Sequence, residues 1–194
     1  MSNLFNNLEL EAFRAGITPR TRESREWFRR RVQNMRRINR NALMREEPVE
    51  LDNDGVVGNM YMFFYDPKLK KELPYYDSFP LVIVIGPADG GFLGLNLHYL
   101  PPILRAKFLD ALLDYTNNKR YDKSTRFRLS YNLLKRAAKM KYFKPCVKHY
   151  LNDHVRSRFA KVPAPEWEIA TFLPTADFQK GNKSKVYSDS RRMI

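Results

Sequence analysis

Residues 65–102 read YDPKLKKELPYYDSFPLVIVIGPADGGFLGLNLHYLPP, and this stretch decides the fold. Leu81 to Ile85 is a near-continuous apolar run, the pattern of a strand buried on both faces. Gly86-Pro87-Ala88-Asp89-Gly90-Gly91 carries turn chemistry and predicts a hairpin loop. Phe92 to Tyr99 then predicts the return strand. Upstream, Asp52-Asn53-Asp54-Gly55 is a turn signal. The run VVGNMYMFFY at residues 56–65 is rich in β-branched and aromatic side chains and predicts an earlier strand, ended by Asp66-Pro67. Three such strands imply an antiparallel meander, and the expected architecture is a small, partly open β-barrel like a Src-homology-3 domain. The stretch holds no recognisable catalytic set, so it reads as a rigid platform.

Helices are expected on either side, which makes the fold class α+β. Thr18-Pro19 has the chemistry of a helix start. Trp27, Phe28, Val32, Met35 and Ile38 continue from it at helical spacing toward Leu43, with arginines over much of the remaining surface. Pro101-Pro102 opens a helix whose apolar face holds Ile103, Leu104, Phe108, Leu109, Leu112 and Leu113. Asp122 or Ser124 caps another, which carries Phe127, Leu129, Leu133, Leu134, Ala137 and Met140. Pro145 is expected to open one more, to about Phe159, and Glu166 to Phe172 gives a short helical segment. The tail from Gln179 has little to bury and is expected to be extended. The predicted organisation is an N-terminal arm and basic helix at 1–48, a small β domain at 49–100, a helical region at 101–178 and an extended tail at 179–194.

Charge is unevenly placed. The 194 residues carry a formal +14. Residues 1–48 contribute +5, 49–118 contribute −4, 119–161 contribute +12 and 162–194 contribute +1. A basic face fits either phosphate or acidic protein neighbours. A single cysteine, Cys146, excludes an internal disulfide framework. No apolar run is long enough to span a membrane, and the N-terminus lacks the pattern of a secretory signal. With 43% hydrophobic residues there is enough apolar surface for a real core.

Each reactive constellation has a plainer reading. Cys146 and His149 are two ligands where zinc usually takes four, so they read as a packed thiol and a surface histidine. Asp66, Asp77 and Asp89 could form a metal-dependent hydrolase site, but each stands in a context where aspartate commonly forms turns. His98 reads as a half-buried hydrogen-bonding histidine in a strand. The glycines at 90, 91 and 94 fit neither a phosphate loop nor a dinucleotide fingerprint. No catalytic residue, metal or cofactor is expected.

The runs YMFFYDPKLKKELPYYDSFPLV (61–82) and DGGFLGLNLHYLPPILR (89–105) resemble virion proteins of large contractile-tailed bacteriophages. The resemblance extends through KRYDKSTRFRLSYNLLK (119–135) and FKPCVKHYLNDHVRSRF (143–159). It implies a structural component of the baseplate, the neck or the protected DNA end, present in several copies, assembled in the host cytoplasm and carrying no catalytic residues. The first reading is therefore a joint between virion proteins, with Trp27, Arg29, Arg30, Arg36, Arg37, Tyr75, Tyr76, Phe79 and Trp167 binding neighbours. The alternative is a protein that holds DNA ends, with Arg126, Arg128, Lys135, Arg136, Lys139, Lys141, Lys144 and Lys148 facing phosphates.

Overall fold

The apolar run of residues 81–85 does become a strand buried on both faces, and the molecule is layered around it. The computed structural model describes residues 3–33, 35, 38–45, 49–116, 131–137, 139 and 141–193. Strands β1 (Leu51–Asp52), β2 (Met60–Met62), β4 (Leu81–Ala88), β5 (Gly91–Asn96), β6 (Val147–Leu151) and β7 (Phe159–Val162) form one antiparallel sheet in the order β1-β7-β2-β4-β5-β6. Strands β3 (Tyr76–Asp77) and β8 (Phe178–Gln179) pair separately. Helices α1 (Asn3–Arg14), α2 (Arg22–Gln33), α3 (Arg40–Arg45), α4 (Pro102–Thr116), α5 (131–137), α6 (Trp167–Phe172) and α7 (Lys183–Met193) accompany the sheets.

Strand periodicity divides the core. Met60, Met62, Leu81, Ile83, Ile85, Leu95 and Val162 point to one side and pack with residues of the helices, including Phe28, Phe108 and Ile169. Tyr61, Phe63, Val82, Val84, Phe92, Tyr150 and Phe159 point to the other and form an aromatic second core. Phe63 is its centre, with ring centroids 4.8 Å from Phe159 and 5.4 Å from Tyr150. This explains why the sheet strands are apolar on both faces.

Several expectations are corrected. Where a partly open barrel was expected, the described residues form an open sheet with β1 and β6 at its edges. The predicted 56–65 strand is confined to Met60–Met62, with Tyr65 in an isolated bridge to Val155. The continuous helix from Thr18 is interrupted: Arg20 has a positive φ of 61°, and α2 begins only at Arg22. There Thr21 and Ser24 cap each other, each hydroxyl accepting from the other's backbone N–H. A second start at Asn39, whose side chain accepts from the Ala42 N–H, opens α3. The return strand stops at Asn96, because the Asn96 side chain caps a 3₁₀ turn at Leu97–Tyr99. His98 therefore lies in that turn, fully buried.

The segment from Pro145 to Phe159 is not helical. A 3₁₀ stretch (Lys141–Cys146) contains Pro145 and leads into β6, a further 3₁₀ turn (Asn152–His154) and β7. Tyr150 and Phe159 belong to the aromatic core, and only a strand carries them there while pairing with β5 and β2. The tail is likewise not extended: α7 buries Val186 and Ser190, one turn apart, and the Ser190 hydroxyl donates to the Tyr99 carbonyl at 2.8 Å.

One carboxylate ties these pieces together. Asp77 is buried and accepts four hydrogen bonds, from His98 Nδ1 (2.7 Å), Asn96 Nδ2 (3.1 Å), Phe79 N (3.2 Å) and Asp177 N (3.0 Å). Burial alone would raise its pKa, but the attraction to His98 and these donors outweighs it and holds the carboxyl below its ordinary value. The Asp77 carboxylate can only accept, which assigns the ring proton to His98 Nδ1 and leaves Nε2 to accept from the Thr175 hydroxyl at 3.1 Å. Burial pushes the His98 pKa down, further than its attraction to Asp77 pushes it up.

This packing has two measurable consequences. A Cβ on Gly91 would lie 1.8 Å from the Tyr150 carbonyl oxygen, so Gly91→Ala must pry β5 from β6. A loss of about 2 kcal/mol or more is expected in urea unfolding, and an unchanged midpoint would refute the close approach. The neutral His98 gives a signed pH effect. Below about pH 6.5 the unfolded chain takes up a proton that buried His98 does not, so stability falls with pH by up to ~1.4 kcal/mol per unit. Asp77 adds a further loss only at lower pH, as its depressed carboxyl becomes protonated. His98→Gln is expected to be less stable at pH 7.5 but flatter between pH 7.5 and 5. Parallel profiles for the two proteins would rule out a neutral buried His98.

Candidate nucleic-acid interface

The aromatic residues expected to anchor a partner are largely engaged inside the molecule. Phe79 is fully buried, its ring 4.8 Å from Phe64. Trp167 is buried on α6, and its Nε1 donates to the Val162 carbonyl at 2.9 Å. These two offer no surface to a neighbour, which corrects their expected role. Trp27 is half-buried edge-on against Phe28. Tyr75 is half-buried against Tyr99 and Phe178, and Tyr76 is half-buried in β3.

Most arginines of α2 are also engaged. Arg25 is buried and pairs with Asp110 and with Glu168, the latter at 3.3 Å. Arg29 grips Glu26 with two donors, at 2.9 and 2.7 Å, and Arg30 adds a third at 2.9 Å. These bonds push the Glu26 carboxyl down to about 2. Arg31 pairs with Glu11 of α1 at 2.5 Å, which lowers that carboxyl too. Outside the helix, Arg40 donates to the Thr175 and Ala176 carbonyls and pairs with Asp177 at 3.3 Å. The predicted basic helix is thus substantially neutralised by the chain's own carboxylates. Arg36 and Arg37 lie outside the described residues.

The second basic segment differs. Lys135, Arg136, Lys139 and Lys144 are exposed, and none has a carboxylate partner among the described residues. Lys135 and Lys139 are four residues apart on the helical stretch and share a face, with Arg136 beside them. The Lys135 ammonium rests 4.6 Å from the centre of the Tyr131 ring. Two further cations, absent from the sequence-based set, resemble them. Arg156 donates to the Asp153 carbonyl and Arg158 to the Leu51 carbonyl; both are exposed, with no ion pair among the described residues. Their signal is present in the charge of residues 119–161, but a helical reading gives no reason to single them out.

Lys148 departs from its expected role. Its ammonium sits 4.0 Å from the centre of the Tyr99 ring, and desolvation lowers its pKa. It covers aromatic surface rather than presenting a free charge. Arg126, Arg128 and the Lys141 side chain lie outside what is described.

The reactive candidates separate. Asp66 is salt-bridged to Lys70 at 2.9 Å, Asp77 is in the core, and Asp89 stands in the hairpin turn, its carbonyl accepting from His149 Nε2. Cys146 is buried and donates to the Phe143 carbonyl, and burial pushes its thiol up to about 12. His149 is exposed. Among the described residues no three His, Cys, Asp or Glu side chains converge as metal ligands. The Asp77–His98–Thr175 relay has the connectivity of a hydroxyl-activating triad. All three side chains are buried, however, so a substrate could not reach the Thr175 hydroxyl without opening the fold.

Comparison with known proteins adds one finding to this geometry. A family model described as phage T4 terminal DNA protecting protein matches residues 4–193. No curated protein and no solved structure matches the chain.

Proposed function

Because the chain belongs to the phage T4 terminal DNA protecting protein family, we propose that it binds and shields the ends of linear duplex DNA within the virion. The observation that carries this reading is the division of cations into two classes. Most described arginines of α1 to α3 are held by internal carboxylates or carbonyls, whereas Lys135, Arg136, Lys139, Lys144, Arg156 and Arg158 are exposed without carboxylate partners among the described residues. A cation already paired gains little from a phosphate. A free one displaces the counterions condensed on DNA, and that release drives binding. The −4 segment, residues 49–118, supplies four of the six main-sheet strands, so the acidic scaffold is distinct from the cationic set.

A joint between virion proteins has weaker support. Phe79 and Trp167 are core residues, and the arginine helix is largely satisfied internally. The family description also favours the DNA-end reading.

Phosphate contacts carry little sequence information, so binding should be insensitive to sequence and steeply dependent on salt. Binding of a plain duplex should be measured by fluorescence anisotropy at several salt concentrations. The quadruple variant Lys135→Ala, Arg136→Ala, Lys139→Ala, Lys144→Ala is expected to keep its melting temperature. Its plot of log affinity against log salt should flatten by about 0.9 for each phosphate no longer neutralised, or roughly 3–4 if all four side chains engage. An unchanged slope would remove these residues from the interface, and no measurable DNA binding at low salt would defeat the reading.

A further inference from the structure

A second cationic feature is lined by none of those residues. Between α2, α4, the segment after α6 and α7 is a cavity of about 260 Å³, whose polar lining includes Arg29, Arg105, Lys183 and Tyr187. It shares Pro174, Ala176 and Lys183 with a wider groove of about 450 Å³, which also takes in Arg40 and Asp177. The apolar wall contains Pro102, Phe172 and Pro174.

The charges here do not balance. Arg105 is 4 % exposed, and its guanidinium donates to the Leu100, Thr171 and His98 carbonyls and the Tyr187 hydroxyl, none of them anionic. Lys183 has no carboxylate partner among the described residues. Its ammonium is held below the ordinary lysine value by desolvation first, then by Arg105 and Arg40. Among the described residues four cations line the two cavities, Arg29, Arg40, Arg105 and Lys183, against the lining carboxylate Asp177 and the Glu26 that pairs with Arg29, while Asp77 is more remote. Crowding like charges into a partly dry cleft is unfavourable unless an anion joins them. The cleft therefore presents an excess of about two positive charges beside an apolar wall.

We propose that this cleft receives the terminal phosphate of a DNA strand. The excess charge matches a phosphate monoester dianion, which occurs at a strand end and not along the backbone, where each phosphate carries one charge. Lys183 supplies the direct donor, Arg105 a fixed positive floor, and the apolar wall a surface for the last sugar and base. This inference rests on the DNA-end reading and adds to it: the cations of residues 135–158 would hold the duplex, and the cleft would recognise its end.

The test uses the full chain and short blunt duplexes with a phosphate at the 5′ end, at the 3′ end, or at neither. One of the phosphorylated duplexes is expected to bind about tenfold tighter than the hydroxyl-ended one, the scale of a charge-assisted hydrogen bond. Lys183→Ala should erase that preference, and Lys183→Arg retain it, while both leave the affinity for hydroxyl-ended DNA and its salt slope nearly unchanged. Equal affinity for all three duplexes, with binding otherwise salt-dependent, overturns the cleft assignment and leaves the DNA-end reading standing. If deoxyadenosine monophosphate saturates the cleft but no end preference exists, the ligand is a free nucleotide and the strand-end assignment fails. Absence of DNA binding altogether would remove both.

Discussion

The Asp77 carboxylate is the constraint on which the rest of the architecture depends. A buried carboxylate is tolerated only when its lone pairs are satisfied, and Asp77 has four donors from three parts of the chain. The Phe79 amide fixes the turn into β4. Asn96 and His98 fix the end of β5 and the turn that leads to α4. The Asp177 amide fixes the strand that precedes α7. Removing one donor would leave the charge less well satisfied, a fault typically costing about 1.5–3 kcal/mol. The relay through His98 to Thr175 extends the same network to the segment after α6, beside the cleft that contains Arg105 and Lys183. Arg105 itself donates to the His98 carbonyl, so core and cleft share a wall.

That arrangement divides the cations by role. Internal carboxylates draw basic side chains of the N-terminal helices into the fold: Glu168 reaches Arg25, Glu11 reaches Arg31, and Asp177 reaches Arg40. These pairs orient helices rather than meet partners. Buried members such as Arg25 and Glu168 bear on packing geometry, whereas exposed members such as Arg30 contribute little to stability. Cations without a carboxylate partner among the described residues include those of the basic segment after α4 and Lys183 at the cleft. A protein that shields DNA ends needs both kinds of site, one indifferent to sequence and one able to tell a terminus from the interior.

Much of the sheet was legible in the sequence because its signals are local. Leu81 to Ile85 could only be an interior strand, and Pro101-Pro102 could only open a helix. What was not legible depends on distant partners. Residues 147–151 follow a proline that favours a helix start, and only pairing with β5 makes them a strand. Asp77 stands in a turn-like context, and nothing nearby reveals that the Asp177 amide, 100 residues on, completes its shell. The tail reads as too polar to fold, yet Val186 and Ser190 are buried and Tyr187 packs against the core, which seats α7. Charge marks the basic segment, but which of its cations remain free is a question of tertiary pairing. Lys148 illustrates this, since its place over Tyr99 follows from β6 and the 3₁₀ turn meeting in space.

The central claim, that this chain covers DNA termini, is tested most directly by exonuclease digestion. A blunt linear duplex would be saturated with the full chain and exposed to a processive exonuclease at low and at high salt. The account predicts that full-length strands persist at low salt in proportion to bound protein, and that protection disappears as salt strips the protein away. Digestion at the unprotected rate, under conditions where binding is demonstrably saturated, would contradict it.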